Sequence, residues 1–374
     1  MARKPRSNPL SRRRFLAATG GMLAQIASGP AAAPTGARRG FEAINAEAPT
    51  LVTPSAQRKI PIGVFDPVFG HLSLDALLDK LQELGLEAVE IASAGPHCPL
   101  QDILDDSAKA RAWKKKFDDK NIRIGALSCH GNPVHPDAKI AGRDREAFRR
   151  TVTAAERVEV PVVVTFSGCP AGSQTDRVPN WATYTWPPDF AQALRYQWDE
   201  VLIPYWKEAA ALARQHGGRK VALEMHPNFS VYNPKTLVRL REAAGEEVGA
   251  NCDLSHLFWQ GCDPVEVIRF LGNQGALYHA HMKDTVLFKD NLAKYGVLNF
   301  VFEAKDLAEG SATFRAVGYG HSAEVWKEIV RAYMDVGFEG ILSIENEDPI
   351  LSGGVGVERA AYVLKNVRAE LLAL

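Results

Sequence analysis

Short apolar runs alternate with longer amphipathic stretches along most of this chain. From residue 60 onward, eight runs have the length and composition of buried strands. The run at residues 160 to 166 is nearly continuous in β-branched residues, as a strand buried on both faces requires. Such alternation predicts a parallel sheet with helical crossovers. The predicted strands are 60–65, 88–92, 122–127, 160–166, 221–224, 248–253, 277–281 and 341–345.

The parallel sheet is predicted to close into a (β/α)8 TIM barrel. An open doubly wound sheet would carry a glycine-rich phosphate loop after an early strand, and residues 66–70 (DPVFG) do not form one. A barrel of ~250 residues has about 30 residues per unit. Glu224 and Asp253 lie 29 residues apart, and Asp253 and His281 lie 28 apart, which matches that unit.

Four residues of metal-binding types lie at the ends of four apolar runs: Glu224, Asp253, His281 and Glu345. In a parallel barrel the C-terminal ends of the strands meet at one mouth, so these side chains are predicted to converge. Three carboxylates and one imidazole suit a divalent cation, manganese first, with magnesium, cobalt or zinc as alternatives. Each acid alone is equally consistent with an ion pair or a loop cap, but burying all of them without a cation would be costly.

The interval between the last two candidate ligands is longer than one barrel unit. His281 and Glu345 are 64 residues apart, or roughly two units. We therefore predict an inserted loop between strands 7 and 8, at residues 285–321, which is rich in Gly, Phe and Asn. Its position makes it a candidate lid over the barrel mouth.

The N-terminus has the features of an export signal rather than of a folded domain. Residues 11–16 read SRRRFL and match a twin-arginine motif, and a Gly/Ala-rich apolar stretch follows. That stretch is too short and too weakly apolar for a stable membrane span. We expect a twin-arginine signal peptide at 1–33, a leader at 34–59 and the barrel at 60–374, in a periplasmic or other extracytoplasmic protein. The alternatives are a basic tail or a membrane anchor.

Composition excludes several classes of partner. The formal net charge is +0, with 44 basic and 44 acidic residues, so nothing favours nucleic acid, or a membrane once the signal is removed. The five cysteines form no CxxC pair, which argues against a zinc knuckle or a disulfide framework. The expected partner is a small polar molecule, and a homo-oligomer is compatible with the sequence.

Six segments together resemble the sugar phosphate isomerase/epimerase family, the xylose isomerase-like TIM barrels. They are LEMHP, CDLSHLFWQG, HAHMKD, SIENED, LSCHGNP and GYGH. The resemblance covers essentially the whole chain after the leader. In relatives of the ketose 3-epimerase type, the metal is held by a Glu, an Asp, a His and a Glu on consecutive strands. The resemblance implies those roles for Glu224, Asp253, His281 and Glu345.

The candidate site suits proton abstraction next to a carbonyl. A divalent ion that binds a sugar carbonyl and its neighbouring hydroxyl acidifies the C–H between them, and a carboxylate can then remove the proton to leave a metal-bound enediolate. Glu224 and Glu345 are the candidate acid and base. Reprotonation gives epimerisation or isomerisation, and loss of a β-substituent gives elimination.

His130 closes the third predicted strand and is a candidate additional general base; a turn residue before Gly131 is an equal alternative. His279, two residues before His281, is a candidate support for that ligand. Lys283 is a candidate contact for a substrate oxygen, although an exposed loop lysine is the more common situation. Further substrate-binding candidates, each with a structural alternative, are His226, His256, His321 and Trp259, with Phe258 and Trp186 as apolar neighbours.

Three other functions compete with a metal-dependent sugar isomerase or epimerase. A lyase or hydrolase of 3-keto-glycosides would use the same proton abstraction, and export favours it. An endonuclease IV-like nuclease would use a related barrel, but the balanced charge disfavours it. A periplasmic sugar-binding protein would not need an acidic metal site.

Overall fold

The computed structural model describes residues 59–373, and the predicted signal peptide and all but the last residue of the predicted leader lie outside this range. Eight parallel strands close into a barrel in the order β1-β10-β7-β6-β5-β4-β3-β2, as predicted. The remaining strands, β8 and β9, form a separate antiparallel pair. The strands are β1 Ile62–Phe65, β2 Ala88–Ala92, β3 Arg123–Ser128, β4 Val162–Phe166, β5 Lys220–Glu224, β6 Val248–Asp253, β7 Leu277–Met282, β8 Asp284–Leu287, β9 Ala312–Arg315 and β10 Leu342–Ile344.

Helices follow most barrel strands. The helix Leu74–Glu83 shows why: Leu77, Leu78 and Leu81 recur at helical spacing and are fully buried. Ser73 begins this helix by accepting a hydrogen bond from the backbone N–H of Ala76. The α-helices are Leu74–Glu83, Leu100–Asp105, Ser107–Asp119, Ala138–Arg157, Pro188–Arg195, Ile203–Gln215, Pro234–Ala244, Ser255–Phe258, Pro264–Asn273, Lys289–Tyr295, Ala323–Asp335 and Gly353–Leu372. Short 3₁₀ turns occupy Asp66–Phe69 and Ala304–Asp306.

Local chemistry shapes two of the helices. The helix Ser107–Asp119 starts after Asp106, whose side chain caps it by accepting hydrogen bonds from the N–H groups of Ala108 and Lys109. The π-helical segment Tyr196–Leu202 joins the helices Pro188–Arg195 and Ile203–Gln215. Pro204 lies two residues beyond this segment, and its missing N–H removes a regular helical hydrogen bond there.

The segment between β7 and β10 contains the antiparallel pair β8–β9, and the helix Lys289–Tyr295 lies in the connection between these two strands. In this pair Asp284 lies opposite Arg315, and Leu287 lies opposite Ala312. The register brings the start of β8, which directly follows the candidate ligand strand, next to the end of β9. A role of this segment as a lid stays a prediction.

Membrane insertion has no candidate helix in the described part of the chain. Among residues 59–373, no helix combines the length and the apolar character that crossing a membrane requires.

Candidate metal centre

The barrel brings the four predicted ligands together at the C-terminal ends of neighbouring strands. Glu224 ends β5, Asp253 ends β6, His281 is the fifth of six residues in β7, and Glu345 follows β10. Asp253 and Ser343 both pair in register with His281, so the ligand strands are level. One ligand atom from each of the four side chains lies within 4.8 Å of the others.

Two buried atoms in this cluster lack hydrogen-bond partners. They are Oδ2 of Asp253 and Nδ1 of His281. Lys283 Nζ lies 3.0 Å from Asp253 Oδ2, close enough for an ion pair, but without the alignment of a hydrogen bond. Buried polar atoms are normally satisfied, and an oxygen-rich set with one imidazole nitrogen suits a divalent cation. The residues therefore fit such an ion.

The two glutamates are ionised. Burial would raise the pKa of Glu224, but the close contact with His130, the hydrogen bond from His256 and the charge of His281 hold it well below its ordinary value. Burial would likewise raise the pKa of Glu345, yet the positive charges of Lys283 and His281 lower it. Both carboxylates are thus available as ligands or as proton acceptors at neutral pH.

Lys283 is buried, whereas an exposed loop lysine was the more common situation expected from the sequence. Its side chain is 1% exposed, and its Nζ lies 2.7 Å from Glu345 Oε2 and 2.8 Å from Glu347 Oε2. Burial opposes its charge, but the nearby carboxylates raise its pKa well above the ordinary value. Lys283 also lies 4.5 Å from the ring centre of Phe314 on β9. It provides a fixed positive charge on one side of the cluster.

Three predicted histidines surround Glu224. His256 Nε2 donates to Glu224 Oε1 at 3.1 Å, and His130 Nε2 lies 3.2 Å from Glu224 Oε2. The ring of His226 packs 4.1 Å from that of His256, while its Nδ1 contacts the carbonyl of Pro227. Sequence reasoning thus placed all three at the mouth. In the structure, the first two act directly on one candidate ligand.

The remaining substrate-binding candidates are His321 and Trp259, with Trp186 as an apolar neighbour. His321 Nδ1 hydrogen-bonds to Asp284 at 2.7 Å and its ring stacks on Phe258 at 4.1 Å, so these contacts hold it at the start of β8. Trp259 is nearly buried and packs against Phe300. Trp186 is 78% exposed. Contact of substrate with Trp259, Phe258 or Trp186 stays a prediction.

Glu90 is the residue that sequence reasoning missed. It lies in β2, is fully buried, and accepts hydrogen bonds at Oε2 from Nε2 of His279 (2.8 Å) and Nε2 of His281 (2.9 Å). Burial would raise its pKa, but the charges of His281 and His279 hold it well below the ordinary value. The available signal was a lone acid in the apolar run AVEIA, since ionised residues are seldom buried without partners.

A family model described as a xylose isomerase-like TIM barrel matches residues 78–367. The chain belongs to this family. The match covers every strand that carries a candidate ligand, and it agrees with the closed barrel and with the resemblance found in the sequence.

Relatives of this xylose isomerase-like barrel include proteins with and without a described activity. The chain is 37% identical over 302 residues to the uncharacterized protein YfiH of Bacillus subtilis (strain 168), covering 79% of this chain and 95% of that one. The apo structure of 3-keto-D-glucoside 4-epimerase YcjR from E. coli has a TM-score of 0.54 at 13% identity, over 83% of this chain and 100% of that one. A xylose isomerase-like TIM barrel protein from Mycobacterium smegmatis in complex with magnesium has a TM-score of 0.55 at 18% identity, over 85% of this chain and 99% of that one. At these identities the structures establish the fold.

Proposed function

We propose that this protein is a divalent-metal-dependent sugar epimerase or isomerase that moves a proton next to a carbonyl. The observation that carries the proposal is the cluster of Glu224, Asp253, His281 and Glu345, with two buried ligand atoms that lack hydrogen-bond partners. The similarity to a sugar epimerase fold and to a magnesium-containing member of the family supports it.

The four cluster residues would hold the ion, with manganese as the first expectation. When bound, a divalent ion polarises a substrate carbonyl and stabilises negative charge on its oxygen. The nearby Lys283 adds a second fixed positive charge, because its raised pKa keeps the ammonium group protonated at neutral pH. Such preorganised charge favours an enediolate over the neutral ketose.

Glu224 and Glu345 are the candidate proton carriers. One carboxylate oxygen takes the proton from the carbon next to the carbonyl, and the electron pair of the broken C–H bond forms the C=C bond of the enediolate. Delivery of a proton to the opposite face of the same carbon inverts that centre. Because the other carboxylate is ionised, it must first take this proton from water or from a substrate hydroxyl, and the first carboxylate then returns its own proton to that oxygen. Return of a proton to the former carbonyl carbon isomerises the sugar. His256 holds one oxygen of Glu224 by a hydrogen bond and so fixes the direction of its other oxygen.

A 3-keto-glycoside lyase or hydrolase is the second candidate. It would begin with the same proton removal, but the electron pair would then expel the substituent on the β-carbon, with a proton delivered to the leaving oxygen. His130 is the candidate donor, since its side chain is 20% exposed and its Nε2 lies near Glu224. The keto-glucoside named for the E. coli epimerase makes this substrate class worth testing.

The deciding experiment combines metal analysis with proton NMR in deuterated water. The purified chain would be incubated with Mn²⁺ and either free ketoses or 3-keto-glucosides. Deuterium at a carbon next to the carbonyl, with the skeleton intact, would support an epimerase or isomerase. Release of the aglycone with a new enone would support the lyase. A protein that binds no metal and exchanges no proton would contradict both.

We also propose that the protein is exported by the twin-arginine pathway. The basis is the SRRRFL motif at residues 11–16. Replacing Arg12 and Arg13 together by lysine should retain the protein in the cytoplasm, as read by cell fractionation. Unchanged extracytoplasmic recovery of this variant would contradict the proposal.

A further inference from the structure

A single carboxylate lies inside the barrel at the cluster and bonds to three other strands. Glu90 extends from β2 and is 0% exposed. Beyond the two histidines of β7, Ser343 of β10 donates to its Oε2 at 2.8 Å, and Ser128 of β3 donates to its Oε1. A buried carboxylate is tolerated when hydrogen bonds compensate its desolvation, and here four donors do so.

Glu90 is held by hydrogen bonds. Nε2 of His281 and Nε2 of His279 lie 2.9 Å and 2.8 Å from its Oε2, the usual distance between an N–H donor and a carboxylate oxygen. Glu90 and the two histidines are also a group of metal-binding types, and neighbouring ligands about 2.1 Å from an octahedral ion lie about 3.0 Å apart. The number of ions bound per chain therefore distinguishes a hydrogen-bonding role of Glu90 from a ligand role.

The contact with Glu90 determines which nitrogen of His281 meets the ligand cluster. Because Nε2 carries the proton donated to Glu90, Nδ1 is directed toward the acids, 3.1 Å from Glu345 Oε2 and 3.4 Å from Glu224 Oε2. Neutral imidazole has one donor and one acceptor nitrogen, so fixing the donor leaves a lone pair on Nδ1. The ring of Phe65 stacks on the same imidazole at 5.7 Å and limits its rotation.

We propose that Glu90 is a positioning residue for the metal centre. It keeps Nε2 of His281 protonated, aims Nδ1 at the ion, and makes the imidazole a stronger ligand through its negative charge. The inference rests on the proposed metal-dependent function but concerns ion binding, which can be measured without any substrate.

Calorimetric titration of Mn²⁺ into the EDTA-treated full chain would test this role. We expect the unchanged chain to bind one ion and Glu90→Leu to bind it about 10- to 100-fold more weakly. Glu90→Gln should lose less affinity, since its amide oxygen still accepts from Nε2, and Ser343→Ala should lose less again. Glu87→Gln is the matched control because Glu87 pairs with Arg368 and Lys59, away from the cluster. Its affinity should be unchanged.

Proton NMR of the Co²⁺-loaded protein gives a second readout. The Nε2–H of a histidine bound through Nδ1 gives a strongly shifted signal that disappears in deuterated water. In the unchanged chain this exchange should be slow, because the proton is buried against Glu90, and in Glu90→Leu it should be faster and the signal displaced.

Three results would overturn the proposal. The first is a folded Glu90→Leu variant with unchanged Mn²⁺ affinity and an unchanged cobalt spectrum. The second is two Mn²⁺ ions in the unchanged chain and one in the variant, which would make Glu90 itself a ligand. The third is no metal bound by the unchanged chain, which would also remove the proposed function. If Glu90→Leu does not fold, Glu90→Gln and Ser343→Ala decide the question.

Discussion

At the scale of single residues, the cluster is defined by charges that compensate one another. Burial of Glu224, Asp253 and Glu345 in one small volume would be unfavourable without positive partners. Lys283 supplies one such partner, and His281 supplies another or, with an ion bound, a neutral ligand. The charges of these groups and of the neighbouring His226 lead to three predictions.

Lys283→Met should destabilise the metal-free protein by about 3–5 kcal/mol, because it leaves buried carboxylates without their partner. Mn²⁺ should restore more stability to the variant than to the unchanged chain. Urea unfolding with EDTA and with Mn²⁺ measures both effects. Lys327→Met, at an exposed pair with Glu370, is the control and should cost at most about 1 kcal/mol. Equal losses in the two variants would contradict the importance of Lys283.

Glu224→Gln and Glu345→Gln should each lower turnover by at least about 100-fold, since neither amide can accept the proton. His281→Ala should in addition lower the metal content. Steady-state kinetics on whichever sugar proves active, with metal analysis of the same samples, measures both. Normal turnover in either Gln variant would remove that residue from the proton-transfer assignment.

His226 should make stability depend on acid pH. Burial first, and the charge of His256 second, lower the pKa of His226 to about 4. Its unfolded value is about 6.5, so between these values the unfolded chain binds more protons, and stability falls as pH falls from about 6.5 to about 4. The contribution is up to about 3 kcal/mol.

Urea unfolding of the unchanged chain and of His226→Gln at several pH values would measure this contribution. The two stability curves should converge between pH 6.5 and 4, since only the unchanged chain carries this proton. The control His71→Asn, at an exposed position, should give the same dependence of stability on pH as the unmutated chain. Curves that stay parallel would show that His226 is not held neutral by the fold.

At the scale of elements, hydrogen bonds to Asp284 connect the segment after β9 to the start of β8. Its carboxylate accepts hydrogen bonds from the N–H groups of Gly318, Gly320 and His321, and from the indole of Trp326. A side chain at Gly320 would collide with the backbone carbonyl of Thr285, so glycine allows the close approach. The GYGH segment is therefore held by one buried acid.

Asp284→Ala should loosen the GYGH segment while leaving the barrel folded. Hydrogen–deuterium exchange should accelerate over residues 316–322, and KM for an active sugar should rise if His321 contacts substrate. Asp290→Ala, in the first turn of the helix Lys289–Tyr295, is the control. Unchanged exchange at 316–322 would show that other contacts hold this segment.

At the scale of the whole molecule, the cluster joins four neighbouring barrel strands: β5, β6, β7 and β10. An ion bound by the native state alone raises global stability, by about 2.7 kcal/mol at a concentration 100 times Kd. EDTA should therefore lower the thermal midpoint of the unchanged chain, and Mn²⁺ should restore it. His281→Ala should show little of this response. An unchanged midpoint with excess Mn²⁺ would contradict a metal site in the barrel.

The alternation of apolar runs and helical patterns was enough to predict the barrel from the sequence alone. Side chains on one face recur about every 2 residues in a strand and about every 3.6 residues in a helix, so the two kinds of element leave different local patterns. Strand ends and 28- to 29-residue spacing likewise led to Glu224, Asp253 and His281. Local chemistry sets finer features of two helices: Asp106 caps Ser107–Asp119, and Pro204 lies just beyond the π-helical segment Tyr196–Leu202.

Only the tertiary structure decided the surroundings of those ligands. Glu90 and His281 are 191 residues apart, and they meet because both side chains point into the barrel interior. Lys283 is buried because the acids of β6 and of the chain after β10 lie beside it once the barrel closes. Sequence periodicity reports which face of an element is buried. The partner of a buried polar group depends on which strands are neighbours and at what register, and no local pattern in one chain encodes that.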